Sequence, residues 1–197
     1  DPLKIIHEKG ADVLRYTLAS LVTSGGQDIK LTDDRLVSSR NFMNKLWNVS
    51  RYIMMQDHAP ESRIGQNQVD VWILQKLNEV CQEVEGYYAS FDFNYACDRI
   101  YEFVWNEFCD WYVEMTKLHK DSSQATLVAV LNGILKLMHP VTPFITEEIW
   151  TILRDHPLMP SSEDTPPSLM LSTWPERYEI EQQSIVRQLE LMQECVK

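Results

Sequence analysis

Apolar residues recur every three or four positions along most of this chain, and that spacing restricts its fold more than any other feature. Between residues 71 and 115 the apolar positions are Val71, Leu74, Leu77, Cys81, Val84 and Tyr88, followed by Phe93, Cys97, Ile100, Val104, Phe108, Trp111 and Met115. Such spacing places side chains on one face of an α-helix, whereas a half-buried strand would alternate. The sequence therefore predicts an all-α protein, a bundle of helices around a shared core.

Capping residues and helix breakers divide this pattern into eight predicted helices. They span about 3–9 (ended by Gly10), 13–21, from after Thr32 to about Met55, 67–90, from Asp92 to Met115, from Ser122 or Ser123 to Met138, from Pro143 (after Thr142) to Leu153, and 179–197. Turn chemistry is expected at 23–28, an extended piece at 29–31 and a loop at 56–68. The proline-containing stretch 155–170 predicts an irregular loop, with a short extended piece near 168–172.

The charge distribution bears on whether the chain can bind nucleic acid. The net charge is −11, which by itself argues against a phosphate-binding protein. Residues 1–60 nevertheless carry eight Lys or Arg against seven Asp or Glu, and the acidity lies in the later part. Between residues 30 and 51 there are five basic side chains and two acidic ones, so RNA contact is expected there first; a solvated helix face is the alternative.

No constellation in the sequence indicates catalysis or metal binding. The four cysteines form no C-x-x-C pair and are expected to be buried thiols where they fall within helices. The sequence has no glycine-rich phosphate loop and no H-E-x-x-H, and its five histidines are scattered at helix ends and loops. We expect neither a catalytic site, nor a metal, nor a cofactor within these residues.

The third predicted helix separates into two chemically distinct faces. At about 100° per residue, Phe42, Leu46, Val49 and Ile53 share the face expected to enter the core. The opposite face carries two guanidinium groups, two amides and an indole, with a phenol at its flank: Arg40, Asn44, Trp47, Asn48, Arg51 and Tyr52.

That polar face has a use in RNA recognition. Asn can pair bidentately with adenine, Arg can bind phosphates or base edges, and aromatic rings stack on unpaired bases. Sequence-specific RNA recognition mainly targets unpaired loop bases of this kind. A polar solvent face with Trp47 packed on a neighbouring helix remains the alternative from the pattern alone.

Several blocks of sequence, in order, resemble class I aminoacyl-tRNA synthetases of the valine, isoleucine and leucine branch. They are residues 9–16 (Lys-Gly-Ala-Asp-Val-Leu-Arg-Tyr), 26–29, 40–48, 102–112 and 139–150. The stretch 23–28 together with Asn41 and Phe42 is most similar to the valine enzymes, and the isoleucine enzymes are the nearest alternative. The catalytic HIGH and KMSKS signatures are absent. The start at Asp1 and Pro2 resembles the helix that follows the second signature, so the chain is expected to begin just after the catalytic loop.

This resemblance implies a helical bundle that binds the tRNA anticodon loop. It implies a linker and stem-contact region at 1–31, the anticodon-binding bundle at 32–154, and a loop, a short extended piece and a terminal helix at 155–197. The full-length enzyme would attach valine to tRNA(Val) in the cytoplasm using ATP, with catalytic and editing domains outside this chain.

The resemblance also assigns candidate site residues. An Asn (Asn44 or Asn48) would read the anticodon adenine, Arg51 would help to hold the cytosine, and Tyr52 or Trp111 would stack on a base. A helical scaffold that binds a protein partner is the alternative of a different class.

Overall fold

The computed structural model describes residues 1–22, 30–56, 61–118, 120–159 and 166–180. These residues form helices, with no strand among them, which confirms the all-α prediction. The helices are α1 (Pro2–Lys9), α2 (Ala11–Leu21), α3 (Asp33–Met54), α4 (Gln68–Ala89), α5 (Phe93–Glu102), a π-helix (Phe103–Tyr112), α6 (Val113–Thr116), α7 (Lys120–Met138), α8 (Pro143–Leu153) and one 3-10 turn (Leu169–Leu171). No helix in this part of the chain is long and apolar enough to cross a membrane.

Most helix boundaries agree with the caps read from the sequence. Gly10, at φ 100°, ends α1, and Thr32, Asp92 and Thr142 occupy the N-cap positions of α3, α5 and α8. None of these three side chains makes a capping hydrogen bond; Asn67 does, accepting from the Asp70 backbone N–H at the start of α4. Helix α7 begins at Lys120, before the predicted Ser122 or Ser123.

For other predicted segments, the prediction is either contradicted or falls wholly or partly outside the described residues. The extended piece near 168–172 is wrong, because Leu169–Leu171 forms a 3-10 turn whose preceding Ser168 side chain accepts from the Met170 N–H. The turn at 23–28 and the terminal helix predicted over about 179–197 lie outside the described residues, except for Glu179 and Ile180, which are not helical. The expected extended piece at 29–31 is described only at Lys30 and Leu31, which belong to no regular element.

The core lies where α4 and the α5–π–α6 segment meet α2, α3, α7 and α8. Residues 93–116 run without interruption through α5, the π-helix and α6, and are called the central rod below. The rod packs on α2, α3 and α4, while α8 packs on α7, α3 and α2. Helix α2 contributes Val13, Leu14 and Tyr16 to the same core as α3, so the boundary after residue 31 stays a prediction.

Two of the sequence blocks that resemble the synthetases, residues 9–16 and 139–150, contact each other at one end of the bundle. The Asp12 carboxylate accepts hydrogen bonds from the backbone N–H groups of Phe144 and Ile145, in the first turn of α8. The Arg15 guanidinium donates to the carbonyl oxygens of Pro140 and Val141. These contacts join the N-terminal end of α2 to the α7–α8 connection, over 125 residues away in sequence.

The central rod departs from the uninterrupted α-helix that its spacing predicts. Each turn of a π-helix holds more residues than an α-helical turn, so the inward face slips along the sequence. Within the rod, Phe108, Cys109, Tyr112 and Val113 are buried. Trp111 and Met115, predicted as core positions, are only partly buried. The predicted inward face is therefore wrong by about one position beyond Phe108.

Candidate nucleic-acid interface

The predicted polar face of α3 is a solvent-facing stripe. Arg40, Asn44, Asn48 and Arg51 are all exposed. On the opposite side of the helix Phe42, Leu46, Val49 and Ile53 are buried, which confirms the predicted division of faces. We call these four exposed residues the α3 stripe. Helix packing thus leaves two guanidinium groups and two amides together on one accessible surface.

The two aromatic residues predicted on α3 lie at the edges of this stripe. Trp47 and Tyr52 are partly buried and pack against the core. At about 100° per residue, Trp47 falls on one flank of the stripe and Tyr52 on the other. Each ring therefore offers only part of its surface to a ligand, and the remainder stabilises the packing of α3.

The sequence analysis missed Met55 as a member of this surface. Its side chain is 75% exposed and follows Arg51 by four residues, so it continues the α3 stripe toward the end of the helix. Asn41 is exposed as well, beside Arg40 and Asn44. The same spacing that located Asn44, Asn48 and Arg51 places Met55 on this face, at the end of the predicted helix.

Not every basic residue between 30 and 51 is available to an RNA. The Lys45 ammonium lies 2.6 Å from the Asp110 carboxylate and 4.2 Å from the centre of the Trp105 ring. Arg35 lines a cavity together with Asp98, whose pKa is raised by burial and lowered in part by the Arg35 charge. Arg40 and Arg51 have no ion-pair partner among the described residues, so they are the stripe's two available positive charges.

Helix α3 and the central rod run side by side in the same direction. The Phe42 and Tyr101 rings are 5.0 Å apart, Lys45 pairs with Asp110, and Tyr52 lies close enough to Lys117 to influence its pKa. Trp111 directly follows Asp110, which places it level with the part of α3 between Lys45 and Tyr52. Among the described residues, the structure shows no contact between Trp111 and the α3 stripe.

The cysteines of the described part of the chain, and His139 among its histidines, lie in structural surroundings. No cluster of three or more His, Cys, Asp or Glu side chains there could hold a metal ion. Cys81, Cys97 and Cys109 are buried free thiols, as predicted, and burial raises the pKa of each to about 12. His139 Nδ1 lies 2.8 Å from Thr146 Oγ1 at the α7–α8 connection, consistent with a structural role.

Comparison with a protein-family model shows which family the chain belongs to. Residues 70–197 match the model described as the anticodon-binding domain of tRNA ligase. This chain belongs to that family. The match includes the central rod with Trp111, whereas the α3 stripe lies before its first residue.

Individual relatives of this anticodon-binding domain are valine--tRNA ligases. The chain is 37% identical over its full length to the enzyme of Clostridium tetani, covering 23% of that protein. It is 38% identical to the Nostoc enzyme over 89% of its length, covering 20% of that protein. A Dehalococcoides mccartyi enzyme is 43% identical over 82% of the chain, covering 19% of its own length. The chain thus spans about a fifth of the length of these relatives.

A solved structure shows the same fold at lower sequence identity. The ternary complex of an Agrobacterium radiobacter LeuRS with tRNA and LeuAMS superposes with a TM-score of 0.66 and 20% identity. The superposition covers 94% of this chain and 21% of that one. It agrees with the all-α architecture described above.

Proposed function

We propose that this domain recognises the anticodon loop of tRNA(Val) as part of a valine--tRNA ligase. The observation that carries the proposal is the α3 stripe: four exposed amide and guanidinium side chains on a chain whose residues 70–197 match the anticodon-binding family. The names of the relatives favour valine over isoleucine. The complete protein would attach valine to tRNA in the cytoplasm using ATP, and ATP would bind in a catalytic domain outside this chain. The catalytic and editing domains would be its partners within the same polypeptide.

Each side chain of the surface has a chemical role in this proposal. Asn44 or Asn48 pairs bidentately with the anticodon adenine, and Arg51 holds the neighbouring cytosine through an acceptor edge or a phosphate. Arg40 contributes a second positive charge toward the backbone. Tyr52 or Trp111 stacks on one of the loop bases, while Trp47 supports the flank of the stripe. Stacking on an aromatic side chain contributes about 1–3 kcal/mol per base.

Binding of anticodon stem-loops tests this proposal. We expect the domain at low salt to bind a valine stem-loop more tightly than one with a changed middle anticodon base, and more tightly than an isoleucine stem-loop. Asn48→Ala and Arg51→Ala should each weaken binding, by about 1–3 kcal/mol where a bidentate pair is lost.

Matched controls come from the opposite side of the bundle. Gln82 is exposed on α4 and Arg177 is exposed in the segment that packs beside it. Gln82→Ala and Arg177→Ala should leave stem-loop binding unchanged. Equal binding of all three stem-loops, insensitive to Asn48→Ala and Arg51→Ala, would contradict the proposal and favour a protein-binding scaffold. Tighter binding of the isoleucine stem-loop would indicate that the domain belongs to an isoleucine enzyme instead.

A further inference from the structure

The π-helical part of the central rod is held from both sides by side-chain pairs. On the α4 side, the Tyr112 hydroxyl donates to Asp70 Oδ1 at 2.7 Å, and both residues are buried. On the α3 side, Lys45 donates to Asp110 at 2.6 Å. The indole of Trp105 extends this second contact, since its ring lies under the Lys45 ammonium and stacks on Tyr101.

The apolar spacing of this segment predicts one set of inward-facing residues, and the π-helix of the structure turns another set inward. The helical phase is the set of residues that faces the core. In the α-helical phase that the spacing predicts, Trp111 would be buried on the same face as Val104 and Phe108. In the observed π-helical phase Tyr112 is fully buried and Trp111 stays partly accessible. π-helical turns are rare and occur frequently at functional sites. Since the spacing predicts one phase and the structure has the other, tertiary contacts must select the observed phase.

We infer that the Lys45–Asp110 pair is a positioning contact that maintains the π-helical phase and so presents Trp111 beside the α3 stripe for contact with an unpaired RNA base. Lys45 acts through Asp110 and Trp111 and does not itself bind the RNA, because its ammonium is engaged by the Asp110 carboxylate and the Trp105 ring. The use of Trp111 as a base contact rests on the proposed function. The effect of the Lys45–Asp110 pair on the π-helix of the rod does not depend on the proposed function.

The inference distinguishes Lys45 from the neighbouring cations of α3. If Lys45 were an RNA ligand, neutralising Asp110 would leave the Lys45 ammonium unpaired and so strengthen RNA binding. If Lys45 is a positioning residue, neutralising Asp110 weakens binding because Trp111 loses its fixed place. Asp110→Asn therefore gives opposite results under the two roles.

A double-mutant cycle on stem-loop affinity provides the first readout. Asp110→Asn and Lys45→Met should each weaken binding of a valine anticodon stem-loop by about three- to tenfold. In a Trp111→Ala background, Asp110→Asn should have no further effect, because residues that act through one another are not additive. Combining Lys45→Asp with Asp110→Lys should restore most of the lost affinity. Full additivity with Trp111→Ala, or tighter binding of Asp110→Asn, would overturn the inference.

Hydrogen exchange of the backbone amides provides a second readout that needs no RNA. Asp110→Asn should accelerate exchange within residues 103–112 while leaving α7 and α8 unchanged. Glu83→Gln is the matched control, because Arg99 on the rod pairs with Glu83 on α4, on the side away from α3. Unchanged exchange in Asp110→Asn would overturn the inference even if RNA recognition holds. Accelerated exchange without RNA discrimination by the wild-type domain would instead contradict the proposed function.

Discussion

At the scale of single residues, Asp12 of α2 caps the N-terminus of a different helix, α8. The first N–H groups of any α-helix lack partners within the helix. At α8 the N-cap Thr142 hydroxyl donates to the Met138 carbonyl oxygen, and Asp12 accepts from Phe144 and Ile145 in its place. Burial raises the pKa of Asp12, while the two backbone N–H groups counteract that shift.

Replacing this cap should destabilise the domain. We expect Asp12→Ala to lower the free energy of unfolding by about 1–3 kcal/mol, since it leaves partly buried N–H groups without acceptors. Urea denaturation of the variant beside wild type measures the effect. Glu85→Ala removes an exposed carboxylate from α4 and should change stability little. An equal loss in both variants would show that Asp12 contributes only charge.

The buried carboxyl of Asp70 should make stability depend on pH. Burial is the main cause that raises its pKa, with hydrogen bonds from Tyr112 and neighbouring hydroxyls opposing it. A pKa above that of the unfolded chain means that the folded state binds the proton more tightly, so this group's stabilisation is present at low pH and lost as pH rises. Asp70→Asn keeps an acceptor for Tyr112 and cannot titrate.

Comparison of wild type with Asp70→Asn therefore isolates this group. Between about pH 7 and pH 4, wild type should gain unfolding free energy relative to Asp70→Asn as the pH falls. Chemical denaturation at a series of pH values gives the difference directly. A difference that stays constant, or that grows as the pH rises, would show that Asp70 is ionised without penalty in the folded domain.

At the scale of helices, the crossing of α4 and α7 depends on a close approach at Gly133. A Cβ atom added there would lie 3.0 Å and 3.1 Å from the two Cδ atoms of Leu77, which is buried in the core. Gly86 is also helical, yet a Cβ atom there meets nothing within 4 Å. The two glycines therefore share helical backbone but differ in surroundings.

This difference predicts opposite responses to alanine. Gly86→Ala should stabilise the domain by about 0.5–1 kcal/mol, the advantage of alanine over glycine inside a helix. Gly133→Ala gains the same propensity but forces Leu77 to shift, and overpacking typically costs about 1–3 kcal/mol. Thermal unfolding of the two variants should place Gly133→Ala below wild type and Gly86→Ala above it. Equal stabilisation by both would show that Leu77 moves aside freely.

At the scale of the whole molecule, the proposed RNA binding takes place on a chain of net charge −11. Helix α3 carries four basic side chains against two acidic ones, and two of the four, Arg40 and Arg51, have no ion-pair partner among the described residues. Each phosphate contact to a single strand contributes about −0.7 to the slope of log affinity against log salt. We expect Arg51→Ala to reduce the magnitude of that slope by about this amount, measured with an anticodon stem-loop at several salt concentrations. Arg177→Ala should leave the slope as it is in wild type.

The helical class, most helix limits and the two faces of α3 follow from the sequence alone. They depend on local chemistry: apolar spacing, N-cap residues, glycine and proline breaks, all of which act within a turn or two. Phe42 and Leu46 are buried and Asn48 and Arg51 exposed for that reason, and most of the candidate site could be located before the fold was known.

Tertiary structure decided what local spacing leaves open. The rod's π-helical phase depends on contacts that Asp110 and Tyr112 make with other helices, and Trp111, which the spacing predicts as a core position, is only partly buried. The pairing of Lys45 with Asp110 spans 65 residues and removes one cation from the surface. The cap that Asp12 provides to α8 is equally remote in sequence. Local spacing sets which side chains share a helix face, whereas only packing between helices decides which neighbour each face meets.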